Sequence, residues 1–187
     1  MFLQYLKLIL QLIISPAKGW EDISHDGYSP QRLCSNGFYP LIAVMAITTL
    51  LRFLYEDSDT VTFVASLQMS IVNVTAFFAS LFLGQHLMNL YLGHFTDKEP
   101  TQQKTDTVVI FILSIIMLFT IISNLVPIKL EILKFLSLYS IFVLWKGLRY
   151  LDVSENKVGN YVFLGVFSII VPPFLLKFLF TILMPEA

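Results

Sequence analysis

The chain has 187 residues, of which 56% are hydrophobic and 13% are charged, and its mean hydropathy is +0.75. A soluble domain contains about 25% charged residues, so these charges are too few to cover a water-exposed globule, and a polytopic membrane protein is predicted. The formal net charge of −1, without a basic tract, argues against nucleic acid as a partner. The single cysteine, Cys34, allows neither an intramolecular disulfide nor a thiolate metal cluster.

Residues 1–14 form an apolar run without the basic start and the small-residue cleavage site of a signal peptide. The run is also too short to span a bilayer. Gln4, Lys7 and Gln11 fall on one narrow stripe of a helix, which predicts an interfacial amphipathic helix lying in the membrane plane. A helix packed on the other segments is the alternative.

The following segment is polar, and it predicts a second helix that starts at Pro16. Trp20 and Ile23 share one face of this helix. We interpret Trp20 as an anchor at the membrane interface, with a ligand-binding role as the alternative. Residues 1–37 are therefore expected to form a cytoplasmic or interfacial N-terminal segment.

Five apolar runs follow, and they predict an all-α bundle of five transmembrane helices over residues 38–187. The predicted spans cover about 38–55, 61–91, 107–126, 132–150 and 158–184. Pro172 and Pro173 divide the fifth span, so we expect a kink or a broken helix there.

The distribution of lysine and arginine predicts the orientation of these spans. With the N-terminus inside, eight cations fall in the inner segments: Lys7, Lys18, Arg32, Lys98, Lys104, Lys146, Arg149 and Lys157. The outer side then holds four: Arg52, Lys129, Lys134 and Lys177. Because cytoplasmic segments carry the excess of cations, we expect a cytoplasmic N-terminus and an external C-terminus.

The second predicted span holds most of the polar residues that lie within any span, namely Gln68, Asn73, Gln85, His86 and Asn89. Gln68 and Asn73 lie deepest and are candidates for hydrogen bonds between helices. The other three lie near the inner end of the span. They either form a polar site that faces His94, Asn124 or the break in the fifth span, or they are ordinary interface residues on an emerging helix.

The sequence contains no motif for catalysis, for a metal or for a cofactor, so we expect neither an enzyme nor a cofactor. No carboxylate lies in the middle of a predicted span, and coupled transport usually needs one. This favours a membrane scaffold that recruits partners through its N-terminal segment and inner loops. A small transporter or ion channel that uses the Pro172–Pro173 break is the alternative. The expected partners are the lipid bilayer, other membrane or cytoplasmic proteins, and a second copy of the chain.

A few residues placed around this pattern resemble the Yip family of Rab-GTPase-interacting membrane proteins, and above all its prokaryotic members. These residues are Pro16, Trp20 and Ile23 before the first span, and Tyr139, Gly147, Leu148 and Lys157 around the fourth and fifth. The resemblance implies five spans, a cytoplasmic N-terminus and a bacterial inner-membrane location. It also makes Pro16, Trp20, Ile23, Gly147 and Lys157 candidate partner-binding residues. Residues 36–40 read N-G-F-Y-P where eukaryotic members carry Asp-Leu-Tyr-Gly-Pro, so the resemblance does not extend to Rab binding.

Overall fold

The computed structural model describes residues 2–55, 62–96, 101–126 and 132–184 of the chain. Lys98, Lys129, the side chain of Lys134 and the last residues of the predicted transmembrane domain, 185–187, lie outside the described part.

The described residues fold almost wholly into helices, with one isolated β-bridge between Thr96 and Val153, which confirms the predicted all-α class. The α-helices of the described part are α1 (Phe2–Ile14), α2 (Pro16–Asp26), α3 (Pro30–Leu33), α4 (Tyr39–Leu50), α5 (Phe63–Tyr91), α6 (Gln102–Leu125), α7 (Ile132–Lys146), α8 (Val158–Gly165) and α9 (Val171–Leu183). Short π-helical segments join α3 to α4 (Cys34–Phe38) and α8 to α9 (Val166–Ile170).

Four helical runs of the described part are long and apolar enough to cross a membrane: Pro30–Leu54, Phe63–His94, Gln102–Leu125 and Glu155–Leu183. They overlap the first, second, third and fifth predicted spans, and the architecture is that of a multi-pass membrane protein. Helix α7 is described over 15 residues, fewer than the roughly 20 that a span requires. The fourth predicted span therefore stays a prediction.

The first of these runs begins at Pro30, well before the predicted start at Phe38. The predicted start rests on where the continuous apolar run begins, and polar residues precede that point. In the structure this stretch is amphipathic, because Leu33 and Gly37 are buried while Arg32 is exposed.

Contacts between loops define two ends of the bundle. At the Trp20 end (residues 16–30, 91–96, 101–107 and 146–158), Lys104 Nζ lies 3.1 Å from Asp152 Oδ2, and Lys157 Nζ donates a 2.7 Å hydrogen bond to the carbonyl of His94. The segments that the sequence places on the cytoplasmic side thus meet at this end.

The opposite end, the Asn124 end, comprises residues 50–55, 62–66, 121–126 and 180–184. There the Tyr55 hydroxyl donates to the Asn124 carbonyl, and the rings of Phe53 and Phe63 lie 5.2 Å apart. Helices α8 and α9 run from the Trp20 end towards this end, antiparallel to α5, with which α9 packs.

Helix α6 is the centre of the bundle. Its side chains from Val108 to Met117 are almost completely buried, and α6 contacts α1, α4, α5 and α7. A helix that is apolar on all sides can be covered by lipid or by protein, and in this bundle the neighbouring helices cover α6.

The fifth predicted span is a continuous but irregular helix. The backbone stays helical from Val158 to Leu183, with the π-helical segment Val166–Ile170 just before Pro172 and Pro173. A π-turn inserted before the prolines relieves the clash that their rings would cause in a regular helix. The break expected here is therefore a local change of helix type.

Helix α1 packs against the bundle along one side, which was the alternative interpretation of residues 1–14. Its buried side chains are Tyr5, Ile9 and Leu12. The Tyr5 hydroxyl lies 2.5 Å from Ser114 Oγ, near the middle of α6, and the Tyr139 hydroxyl of α7 donates to the Ile13 carbonyl at 2.7 Å.

The opposite side of α1 is not polar throughout. Leu3 and Ile14 are 80% and 82% exposed, and the exposed Lys7 lies between them on the same side of the helix. An apolar edge beside a polar stripe suits the boundary between lipid and water, so an interfacial position of α1 stays a prediction.

Candidate functional site

A groove of about 1050 Å³ opens at the Trp20 end, between α2 and the C-terminal end of α7. Aromatic and cationic residues make up half of its lining: Lys18, Trp20, Trp145, Lys146, Arg149 and Tyr150. Ser15, Ser24, Glu21 and His25 add polar groups from the α2 side. We refer to this feature as the α2–α7 groove.

The local sequence explains why α2 forms one wall of this groove. Pro16 occupies the first turn, where its missing N–H costs no hydrogen bond. Gly27 ends the helix in the left-handed conformation, at φ 59°, and its N–H bonds to the Ile23 carbonyl. The buried side of α2 consists of Pro16, Gly19, Trp20 and Ile23.

Trp20 joins α2 to α7. Its side chain is 2% exposed, and its indole N–H donates a 2.9 Å hydrogen bond to the Val143 carbonyl. A Cβ atom at Gly147 would lie 3.3 Å from the Trp20 ring and 3.1 Å from the Leu144 carbonyl oxygen, so a side chain there would require its neighbours to shift by a few tenths of an ångström. Trp20 and Gly147 therefore form a clamp between two distant parts of the chain.

This burial corrects the roles expected from the sequence. Trp20 does not anchor the chain through an exposed ring, because the bundle encloses its side chain. Pro16, Ile23 and Gly147 are buried as well. These four candidate partner-binding residues hold α2 in place, so any contact with a partner must come from their exposed neighbours.

Aromatic rings continue the clamp across the floor of the groove. The Trp20 ring stacks on Tyr150 with centroids 5.4 Å apart and meets Phe111 edge-on at 6.2 Å. Lys104 Nζ lies 5.7 Å from the centroid of the Tyr150 ring. These contacts combine apolar packing with a cation–π interaction and give the groove a rigid floor.

Three cations border the groove: Lys18, Lys146 and Arg149. Lys146 Nζ lies 4.5 Å from the centroid of the Trp145 ring. Within the described part of the chain, no carboxylate lies within ion-pair distance of any of the three. Glu21 supplies the only carboxylate among the described residues that line the groove, so the groove has a net positive charge.

Lys157, the fifth candidate partner-binding residue, lies outside the groove. Besides the bond from Lys157 to the His94 carbonyl, the Ser154 N–H donates to the Phe95 carbonyl at 3.2 Å. Together with the bridge between Thr96 and Val153, these bonds tie the end of the second span to the start of the fifth.

A second polar cluster lies between helices near the Asn124 end. Asn73 of α5 and Asn124 of α6 both donate to the Thr49 hydroxyl of α4, at 3.2 Å and 2.8 Å. Asn124 also donates to Thr48 Oγ1 at 3.4 Å. The sequence indicates the depth of Asn73. The sequence did not predict a role for Thr48 and Thr49 in bonds between helices. Threonine in an apolar helix usually bonds to its own backbone, as both do to the Met45 carbonyl.

The polar residues at the other end of α5 do not converge on a common site with Asn124. Asn89 donates to Asp106 Oδ1 at 2.9 Å, His86 is exposed, and Gln85 is half-buried. Asn124 lies at the opposite end of the bundle, so the suggested grouping of Gln85, His86 and Asn89 with Asn124 is wrong. Gln68 is half-buried on the same helix.

Within the described part of the chain, no three histidine, cysteine, aspartate or glutamate side chains are grouped so that they could hold a metal ion. The arrangement at the Trp20 end is suited to binding an anionic or amphipathic group, because it combines cations with aromatic rings around an open groove.

Comparison with known proteins identifies a family. The model of a family described as the Yip1 domain matches residues 10–181, a range that contains both halves of the Trp20–Gly147 clamp. No curated protein and no solved structure matches the chain significantly. Because the family model covers almost the whole sequence, the chain belongs to the Yip1 domain family of membrane proteins.

Proposed function

We propose that this protein is a non-enzymatic membrane scaffold that recruits a cytoplasmic protein at its Trp20 end. The Yip1 domain family is not a known enzyme family, which supports the non-enzymatic part of the proposal. We place the protein in a bacterial inner membrane with five spans, a cytoplasmic N-terminus and an external C-terminus.

The observation that carries the scaffold role is the clamp between Trp20 and Gly147. It holds α2 against the bundle by burying one side of the helix, and it leaves Glu21, Ser24 and His25 exposed on the other. A polar helix edge with a fixed orientation loses little conformational entropy when a partner binds. That is the property expected of a recruiting surface.

The path of the backbone supports a total of five spans, with α7 as the fourth. Helix α6 ends at the Asn124 end, and α7 ends at the Trp20 end beside Trp20. A chain that leaves α6 at the Asn124 end and reaches the Trp20 end at the end of α7 crosses the bundle once between them. The predicted excess of cations at the Trp20 end supports placing that end in the cytoplasm.

The transporter alternative depends on a broken fifth span that exposes backbone carbonyls to ions. The backbone remains helical throughout Val158–Leu183, so this alternative loses the feature on which it was based. We therefore retain the scaffold as the proposal.

Site-specific photocrosslinking in intact cells tests the scaffold. A photoreactive amino acid at Ser24, on the exposed edge of α2, should capture a cytoplasmic protein that mass spectrometry identifies. The same group at Phe178, which is 63% exposed on α9, is the control and should not capture that protein. Adding Trp20→Ala to the Ser24 variant should abolish the adduct, because α2 loses its clamp.

Three results would contradict the scaffold. The Ser24 position could yield no protein adduct, it could yield the same adducts as Phe178, or it could crosslink only to a second copy of this chain.

A further inference from the structure

We propose that the α2–α7 groove binds the phosphate headgroup of an anionic phospholipid from the membrane in which the protein lies. The chemistry recognised is a phosphate ester, and the source is a lipid. This inference goes beyond the scaffold role and does not depend on it.

The first argument is charge. Lys18, Lys146 and Arg149 face the groove, and no described carboxylate pairs with them. Neighbouring cations at the same end are already engaged, because Lys104 pairs with Asp152 and Lys157 bonds to the His94 carbonyl. Three cations that form no described ion pair, set against one carboxylate, form a site for an anion, and lysine and arginine are the usual phosphate ligands.

The second argument is the surface that leads to the groove. On α7, Leu138, Phe142 and Trp145 are exposed at one-turn intervals, by 55%, 39% and 41%. They form an apolar stripe along one face of the helix. Arg149 follows in the turn just after the helix and lines the groove together with Lys146 and Trp145. A lipid could lay an acyl chain along the stripe while its phosphate reaches the cations, whereas a free phosphate ion would leave the stripe unused.

The third argument is position. Trp145 and Tyr150 are side chains that favour the level of the headgroups, and cations beside an apolar helix end attract anionic lipids there. The groove, at about 1050 Å³, has room for a glycerophosphate headgroup.

The two tryptophans of the chain, Trp20 and Trp145, both line the groove. Tryptophan emission therefore reports binding at this site without an added label. The experiment titrates the full-length chain in neutral detergent with short-chain phosphatidylglycerol. Phosphatidylcholine of the same chain length and inorganic phosphate are titrated separately.

We expect a saturable change in emission with phosphatidylglycerol and none at the same concentrations of the other two. The double variant Lys146→Gln/Arg149→Gln should raise the half-saturating concentration by about tenfold to thirtyfold, since each cation near an anionic lipid contributes about fivefold in affinity. The matched double variant Lys7→Gln/Arg32→Gln removes the same charge from exposed positions outside the groove and should change it less than about twofold.

Lys18→Gln, on the other wall of the groove, should also raise the half-saturating concentration of phosphatidylglycerol. It provides the test if Lys146→Gln/Arg149→Gln fails to fold. Equal binding of phosphatidylcholine, or equal weakening by both double variants, would overturn the inference, because the charge would then act without a defined site. An emission change produced equally by inorganic phosphate would show a free anion in place of a lipid. A lipid result is also separate from the scaffold, since crosslinking at Ser24 can fail while the groove still binds phosphatidylglycerol.

Discussion

Trp20 owes its position to one hydrogen bond and to the lack of a side chain at Gly147. The indole N–H donates to the Val143 carbonyl, and the ring packs closely against Gly147, where even a Cβ atom would make a tight contact with it. Such a contact gives a buried indole both its polar partner and its packing. The clamp is a property of these two residues together.

Replacing Gly147 with leucine should therefore expel the Trp20 ring. We expect a loss of about 1–3 kcal/mol, the usual cost of overpacking, measured as a lower Tm in detergent. In a Trp145→Phe background, acrylamide should quench Trp20 emission more strongly than in the parent. Gly159→Leu is the control, because a Cβ there meets nothing within 4 Å. Equal loss of stability in both variants would contradict the clamp.

Asn73 provides a second prediction for a single residue. Asn73→Leu removes the hydrogen bond to Thr49 and should lower stability by about 0.6–2 kcal/mol, the range for bonds between transmembrane helices, without preventing insertion. Thr75→Leu, at an exposed position of the same helix, should leave the Tm unchanged. An unaltered Tm in Asn73→Leu would refute a stabilising role for the bond.

Sequence reasoning succeeds or fails at single residues for a physical reason. A polar side chain inside an apolar run, such as Asn73, must find a partner in hydrocarbon, so its need is visible in the sequence. The identity of the partner is not visible, since Thr49 and Asn124 come close only when three helices assemble. Trp20 was misjudged because an aromatic residue near a span suits the interface and the protein interior equally well.

Helices α1 and α9 show what periodicity reveals about whole elements. The polar stripe of α1 predicts a helix, but lipid and protein interior are both apolar, so the pattern does not say which of them covers Ile9 and Leu12. The same limit applies to α9, where the two prolines predict an irregularity and the preceding π-helical segment sets its form.

The docking of α1 is tested at Gly37, where a Cβ atom would collide with the Tyr5 ring. In Gly37→Ala we expect α1 to detach, because Tyr5 also loses its contact with Ser114. Hydrogen exchange of residues 2–14 should then become faster while exchange in α6 stays slow. Gly93→Ala, where a Cβ meets nothing within 4 Å, should exchange like the parent, and unchanged protection of α1 in Gly37→Ala would contradict the docking.

The whole molecule is a bundle with two chemically different ends around α6. Its helical character was predictable, since only helices and closed barrels satisfy the backbone in lipid. The order of the spans also predicted which loops lie together at each end of the bundle. The pairing of helices was not predictable, because association in a membrane depends on close packing and hydrogen bonds, which the hydrophobic pattern does not encode.

The central claim is that the chain crosses the membrane so that α2 and residues 146–157 lie on one side and the end of α9 lies on the other. The most direct test places single cysteines at Ser24, Glu155 and Met184 in a Cys34→Ala background and labels them with an impermeant maleimide in sealed vesicles of known orientation. The account predicts that Ser24→Cys and Glu155→Cys react from the cytoplasmic side alone and Met184→Cys from the opposite side alone. Labelling of Met184→Cys from the same side as Ser24→Cys would contradict it.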